Sequence, residues 1–488
     1  MMNISVLREF EFDVALGGVR MVEAALGKNI GKGVFFVYTQ EGEGADPCHS
    51  TLAFHKHPVR MAMFGPQGQL LWSITLGMGV MPCIWTSPFI AFDMDGDGVD
   101  EIWFVNQYDA RCPLNQGKFV LERIHAVTGE IMDTKPFPAD NCQWERVDWA
   151  YRFMLIGGYV HGEPVLVTTQ GLYSEMFLQA YNADMSLRWE RNIKPFAAVP
   201  QDAMFQKPVG APGSRASHEA PVLDINHDGI DEFLWGERAI SFDDGQDIFC
   251  LDQERYHGHS DLIIPFIDYE TGKMYVFTGR ETGDYLGCPR VVTFDAADGS
   301  VVWEDIYSES WGHYQDDGHI HYGWIATVEP DYRRVAFAYR RREKIRKAEF
   351  YLFDALTGEK LEHTFPYPLS IVKPIDINGD GYSKFLYTAR NNSWIGMDGG
   401  DCMQLLDRNG KLLFYAGGGL VTVGRWDGFA GEQFMTAHAA ECKVRIWGDL
   451  DASENEIFKL RHAAGFHEFM NKQKGSGYNQ LGSISCAM

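Results

Sequence analysis

The chain repeats itself, and the repeat sets the fold. One unit is strand, D/N-x-x-G turn, strand, often ending in tryptophan. It reads MAMFGPQGQLLWSI at 61–74, IHAVTGEIMD at 124–133, AYNADMSLRWE at 180–190, ISFDDGQDIFCLD at 240–252, VTFDAADGSVVWED at 292–305, YLFDALTGEKLEH at 351–363 and QLLDRNGKLLFYA at 404–416. The turns at Gly68, Gly129, Ser186, Gly245, Gly299, Gly358 and Gly410 are spaced by 61, 57, 59, 54, 59 and 52 residues. A near-constant period on this scale marks an array of supersecondary units. A second unit, an apolar strand, an acidic turn and another strand, lies between these turns; FIAFDMDGDGVDEIWFV at 89–105 and KPIDINGDGYSKFLYTA at 373–389 are two copies. Two hairpins per period make a four-stranded antiparallel sheet, and several such sheets bury both faces only by packing radially. The expectation is an all-β chain, an eight-bladed β-propeller, with seven blades as the alternative. Residues 33–60 supply the hairpin before Gly68, and ECKVRIWGDL at 441–450 supplies the last strands. Two stacked β-sandwiches would not keep so uniform a period. The boundaries read as an N-terminal appendage at 1–32, the propeller at 33–452 and a C-terminal helix or tail at 453–488.

Composition agrees with many turns and strands. Glycine numbers 51 and aromatics reach 14% of 488 residues. The formal net charge of −24 repels nucleic acid and anionic lipid, so both are excluded as partners, whereas bound cations suit it. Nine cysteines without a CxxC pair read as reduced thiols. The opening MMNISVLREFEFD has neither a basic n-region nor an apolar h-region, and no apolar run is long enough to span a bilayer. A cytoplasmic location is expected, or a secreted one if a leader has been removed.

Three acidic loops carry the sharpest chemical signal. Asp93, Asp95, Asp97 and Glu101 fall at positions 1, 3, 5 and 9, with the Val99 carbonyl at 7. Hard oxygen ligands on a glycine-bent loop are what Ca²⁺ requires. The second copy offers Asp224, Asn226, Asp228, the Ile230 carbonyl and Glu232. The third has Asp376, Asn378 and Asp380 but carries Lys384 at position 9, where an ammonium can stand in for the ion's charge. All three read as blade staples before catalytic metals.

These loops and their surroundings resemble the rhamnogalacturonan lyases of polysaccharide lyase family 11. GQLLWSITLG…TSPFIAFDMDGDGVDE at 68–101 is similar to that family's first blade. Tyr151-Arg152-Phe153 with GGYVHGEPVLVTTQGLYSE, and His218-Glu-Ala-Pro-Val-Leu-Asp224 through Gly258-His259-Ser260-Asp261, resemble its R-F…G-Y-Y and N-H-N…D-x-D-G-D-G…G-H-G-D segments. The likeness is scattered over about 60–450. It implies an eight-bladed, calcium-bearing propeller that cleaves between rhamnose and galacturonate by β-elimination. Tyr322-Gly323 stands where the family has Arg-Gly, and Gln170 where it has an arginine before paired tyrosines. No catalytic base is carried over from the family.

The repeat register supplies candidates independently. Each inner strand starts at a mouth of the central channel, where packing alone calls for valine, alanine or glycine. Aligned positions instead hold Arg152, His218, His259 with Asp261, His321 with Tyr322, and Lys373, with Ser87 and Arg425 completing the circle. Such a set is a convergent polar site. Elimination from a uronate needs cations on its carboxylate (Arg152, Lys373 or a site calcium), a base for the C5 proton (histidine, tyrosine or lysine) and an acid for the leaving oxygen (Tyr322 or a second histidine). His257 and His319 share strand faces with His259 and His321, so any of the four can be the base. Asp261, His257, His319, Tyr173 and Arg425 are the expected substrate contacts. The same four histidines can alternatively gather Zn²⁺ or Mn²⁺. Arg340–Lys347 reads as a solvated hairpin tip; Trp85, Trp149, Trp311 and Trp324 stand near strand starts, where each is core or a sugar platform.

The first reading is therefore a lyase acting on a uronate-containing oligosaccharide or polysaccharide. The alternative is a non-catalytic, calcium-stapled propeller that binds glycan or protein. A glycoside hydrolase needs two carboxylates across the channel, and only Asp261 is an evident rim carboxylate.

Overall fold

The computed structural model describes residues 2–41, 43, 55–113, 118–137, 151–172, 176–193, 216–251, 260–280, 289–306, 320–328, 331–342, 347–362, 364–369, 372–388, 403–426, 428–463 and 465–481. These form eight four-stranded antiparallel sheets. Blades 1 to 7 span 16–75, 89–136, 153–193, 222–250, 260–306, 320–361 and 372–415, each with its strands in chain order. Blade 8 takes three strands from 419–449 and its outermost strand, Ile4–Glu11, from the other end of the chain. That strand pairs from Ile4↔Asp449 to Glu11↔Lys443, and Glu9 bonds Arg445 across it at 2.8 Å.

Residues 1–32, expected to form an appendage, thus hold two propeller strands. Leu16–Ala25 is the innermost strand of blade 1. Its sequence LGGVRMVEAA is buried nearly throughout, so it lacks the polar alternation of a half-exposed strand. No acidic turn follows it to flag the repeat.

The core is distributed around the ring. Eight apolar clusters each lie between one adjacent pair of blades. The cluster of Phe10, Met21, Val34, Phe36, Met435 and Ile446 joins blade 8 to blade 1 and closes the circle. A second device explains the tryptophan and the turn glycine of the repeat. Trp72 donates its indole N–H to the Ala126 carbonyl of the next blade at 2.7 Å; Trp189 does so to Phe242 at 2.9 Å and Trp303 to Ala355 at 2.8 Å. Each indole lies flat on the next blade's turn glycine. A Cβ on Gly129 would stand 2.7 Å from Trp72, and one on Gly358 2.6 Å from Trp303. Both glycines also need φ near +73°.

The C-terminal segment fills the axis. It holds two short helices, α1 (Glu456–His462) and α2 (Phe466–Asn471). Beyond them the chain climbs the channel, bonding one inner strand after another. Ala91 N–H donates to the Lys472 carbonyl at 2.9 Å and Phe89 N–H to Gly475 at 3.2 Å. Gly157 exchanges bonds with the Gln473 amide at 3.1 and 3.2 Å, and Leu155 N–H reaches Ser476 Oγ at 2.8 Å. Lys474 Nζ donates to Thr422 Oγ1 at 3.1 Å, and Tyr478 N–H to the His218 carbonyl at 2.7 Å. Gln473, Lys474, Ser476 and Asn479 are buried, and such groups are tolerated there because the inner strands satisfy them. Among the described residues, no helix is long and apolar enough to cross a membrane.

Candidate active site and cation loops

The two ends of the channel differ. At one end the inner strands finish in the acidic loops. In blade 2 the Asp93 carboxylate accepts from Gly96 N–H at 2.7 Å and Gly98 N–H at 2.9 Å. Glycines at positions 4 and 6 adopt φ of +72° and +86°, which curls the loop around its own carboxylates. Carboxylate oxygens of Asp93, Asp95 and Asp97 lie within 4.8 Å of one another, a donor set suited to a hard cation. Glu101 Oε2 accepts the Met94 N–H at 2.9 Å, while Arg123 bridges Glu101 and Asp95. Blade 4 repeats the pattern: Asp224 accepts from Asp228 and Gly229 N–H at 3.1 and 3.0 Å, and Glu232 from Ile225 N–H at 3.1 Å. Burial pushes Glu101 up to about 7 and Glu232 up to about 8; a bound cation would reverse both shifts.

Position 8 has a separate task that the spacing did not reveal. Asp100 accepts the Ala25 N–H of blade 1 at 2.6 Å, and Asp231 the Tyr159 N–H of blade 3 at 2.7 Å. Glu432 likewise accepts the Asp376 N–H of blade 7 at 2.7 Å. The acid at this place ties its loop to the preceding blade.

Blade 7 departs from the pattern. Lys384 Nζ donates to both Asp380 carboxylate oxygens at 2.8 and 2.9 Å and to the Tyr382 carbonyl at 2.9 Å. Asp376 Oδ2 accepts from Arg461 of α1 at 2.9 Å, and Asn378 donates to Asp380 at 2.7 Å.

At the other end the inner strands begin. Arg152 immediately precedes the first strand of blade 3, and Phe153 N–H donates to the Trp85 carbonyl at 3.0 Å. His218 precedes blade 4, and Ser217 bridges in parallel to Ser260 of blade 5. These links bring three expected residues together. Arg152 Nη1 is 3.2 Å from His218 Nε2. Asp261 Oδ1 is 3.0 Å from His218 Nδ1, in contact but off line for a hydrogen bond. Arg152 lies over the Trp85 ring at 4.9 Å. Tyr478, from the channel-filling tail, packs on His218 at 4.4 Å and on Trp85 at 5.4 Å. His218 and Asp261 are buried. Trp85 therefore serves this cluster, whereas Trp324 stacks on Phe337 at 4.9 Å inside the core between blades 6 and 7.

Lys373 and Tyr322 lie on the inner strands of blades 7 and 6, and the Tyr322 hydroxyl donates to the Val372 carbonyl at 2.8 Å. Ser87 is a structural link: Arg20 of blade 1 donates to its Oγ at 2.9 Å. Arg425 is a correction. It follows the inner strand Gly419–Gly424 and so takes position 1 of the blade 8 loop, at the opposite end from Arg152. Gln433 confirms that register by capping Trp426 N–H at 2.8 Å, as Glu101 and Glu232 do in their loops. Arg425 pairs with Glu454 at 3.0 Å and is not a rim contact. Tyr173, His257, His259 and His319, the side chain of His321, Trp149 and Trp311 lie outside the described residues, and with them all four side chains of the Zn²⁺/Mn²⁺ alternative. The strands of the basic run pair as far as Arg342↔Lys347, which places it at a hairpin tip. Tyr478 was not legible as a site residue, because its segment stands outside the repeat.

Comparison with known proteins sharpens this. The fold is that of the rhamnogalacturonan lyase propellers. A solved rhamnogalacturonan lyase of Bacillus licheniformis, described as PL11, matches with a TM-score of 0.72 at 18% identity, over 97% of this chain and 80% of that one. The exotype rhamnogalacturonan lyase YesX matches with a TM-score of 0.70 at 19% identity, over 95% of this chain and 80% of that one. In sequence, the rhamnogalacturonan exolyase YesX of Bacillus subtilis is 25% identical over 287 residues, 48% of this chain and 44% of that protein. The endolyase YesW of the same organism is 24% identical over 297 residues, 54% of this chain and 43% of that protein. The chain spans less than half the length of these curated relatives. No family model matches.

Proposed function

We propose that the chain is a polysaccharide lyase that cleaves a rhamnogalacturonan-type glycan by β-elimination where the inner strands begin. The observation that carries this reading is the Arg152–His218–Asp261 contact at the channel mouth, in a propeller whose curated relatives are named rhamnogalacturonan lyases.

Each group has a role that its geometry suits. Asp261 beside Nδ1 favours the tautomer with the proton there, leaving the Nε2 lone pair facing Arg152 Nη1 at 3.2 Å. When the Arg152 N–H turns from Nε2 to the uronate carboxylate, Nε2 takes the C5 proton of galacturonate. The electron pair forms the C4–C5 double bond, the C4–O bond breaks, and the departing rhamnosyl oxygen takes a proton from an acid. Arg152, adjacent to Nε2, neutralises the uronate carboxylate as negative charge develops at C5. Lys373 is the second cation, and Tyr322, with His321 and His259, is the source of the returning proton.

Calcium at Asp93–Glu101 and Asp224–Glu232 is part of this reading as a structural ion. When bound it supplies positive charge that holds each loop's carboxylates together. The alternative of a non-catalytic glycan or protein binder is not favoured, since a binding surface has no use for a buried His–Asp pair with a half-buried arginine against it. The test is incubation with rhamnogalacturonan, homogalacturonan and neutral glycans, following ultraviolet absorbance of an unsaturated uronate. Absorbance rising with rhamnogalacturonan alone is the expected result; none with any uronate polymer would defeat the proposal.

A further inference from the structure

We infer that the acidic loop of blade 7 takes no calcium, because Lys384 supplies in covalent form the cation that the loops of blades 2 and 4 take from solution. This rests on the calcium reading above. In those two loops the position 9 side chain turns back to cap the amide at position 2. In blade 7 it turns the other way. Its ammonium meets both Asp380 oxygens at position 5 and the Tyr382 carbonyl at position 7, at 2.8 to 2.9 Å. These are oxygens that a calcium ion would claim, and three acceptors match the three N–H donors of an ammonium.

The charges agree. Asp380 is faced by Lys384 and Asp376 by Arg461, which also pairs with Glu432 of the blade 8 loop at 3.2 Å, so each of the blade 7 loop's own carboxylates meets a cation without an ion. In blade 2, Asp93, Asp95, Asp97 and Glu101 have Arg123 alone among the ion pairs of the described residues. The substitution has a structural consequence. The blade 7 loop seats the start of the C-terminal segment: Ser453 N–H donates to Asn378 at 3.0 Å, Asn455 N–H to Gly379 at 2.9 Å and the Asn455 amide to Asp380 at 2.7 Å. The anchor of the channel-filling tail is therefore independent of calcium.

Equilibrium dialysis of the full chain against calcium tests this directly. Two ions on the wild type and a third on Lys384→Glu uphold it. Three ions on the wild type, one of them lost in Asp380→Asn, overturn it. Asp380→Asn, which keeps Lys384, is the second probe: its melting temperature should fall by the same amount in calcium and in chelator. A larger fall in calcium than in chelator would mean that an ion occupies the wild-type loop, and would overturn the inference. A wild type that binds no ion defeats the calcium reading of blades 2 and 4 instead, while a lower melting temperature of Lys384→Met in chelator still upholds the lysine as the cation of the blade 7 loop.

Discussion

His218 is held from three sides, by Asp261 at Nδ1, Arg152 at Nε2 and Tyr478 against its ring. His218→Gln keeps most of that packing and removes the proton acceptor. It should lower kcat by about 10²–10⁴-fold while the melting temperature moves by a few degrees at most, read by steady-state kinetics and thermal unfolding. Asp261→Asn should shift the acid limb of the kcat/KM profile, because the carboxylate beside Nδ1 is gone. Arg152 and His218 could be brought together from the sequence because a repeat fixes register: equivalent positions in successive units stand near the same height of the ring, and the two meet at 3.2 Å. Arg425 was misplaced for the same reason in reverse. An arginine at loop position 1 replaces the acid that marks the loop in blades 2, 4 and 7, so Arg425 reads as the start of its strand although it follows the end. Asp261 was legible as a rim residue but not as the partner of His218, since that pairing crosses from blade 4 to blade 5.

The elements carry their own tests. Gly129 lies under the Trp72 indole with φ near +73°. Gly129→Ala adds a methyl where neither space nor backbone conformation allows one, and should cost about 2 kcal/mol in urea unfolding. Calcium at the two intact loops should raise stability by about 2.7 kcal/mol per site at a hundred times its dissociation constant; chelation should therefore lower the melting temperature, and Asp93→Asn should remove part of that response. His462 of α1 gives a pH dependence. Burial, with Arg461 and Arg425 nearby, holds its pKa well below the ordinary value. The unfolded chain thus binds a proton near pH 6.5 that the folded chain refuses. Its contribution is present above about pH 6.5 and is lost as pH falls toward the folded pKa. With calcium saturating, the melting temperature should drop from pH 7 to pH 5, and His462→Gln should flatten that drop. The hairpins and their tryptophan–glycine turns could be read from the sequence because each repeats. The position 8 ties could not, since aspartate and glutamate there merge into the acidic run.

At the scale of the whole molecule, closure depends on the two ends of the chain, and the ends were the least legible parts. The N-terminal strand completes blade 8 and the C-terminal tail occupies the axis, yet neither repeats, so neither carries a periodic signal. Deleting residues 2–12 removes Phe10 and Phe12 from the cluster between blades 8 and 1 and exposes a strand edge; unfolding should become broader and less cooperative by calorimetry. We propose elimination across C4–C5 of a uronate in place of hydrolysis of the glycosidic bond. Mass spectrometry of products from a defined rhamnogalacturonan oligosaccharide decides it. Elimination gives a galacturonate-ended fragment one water lighter than the hydrolytic fragment, formed by the wild type and lost in His218→Gln. A fragment of the full hydrolytic mass, or equal formation of the lighter one by both proteins, would contradict it.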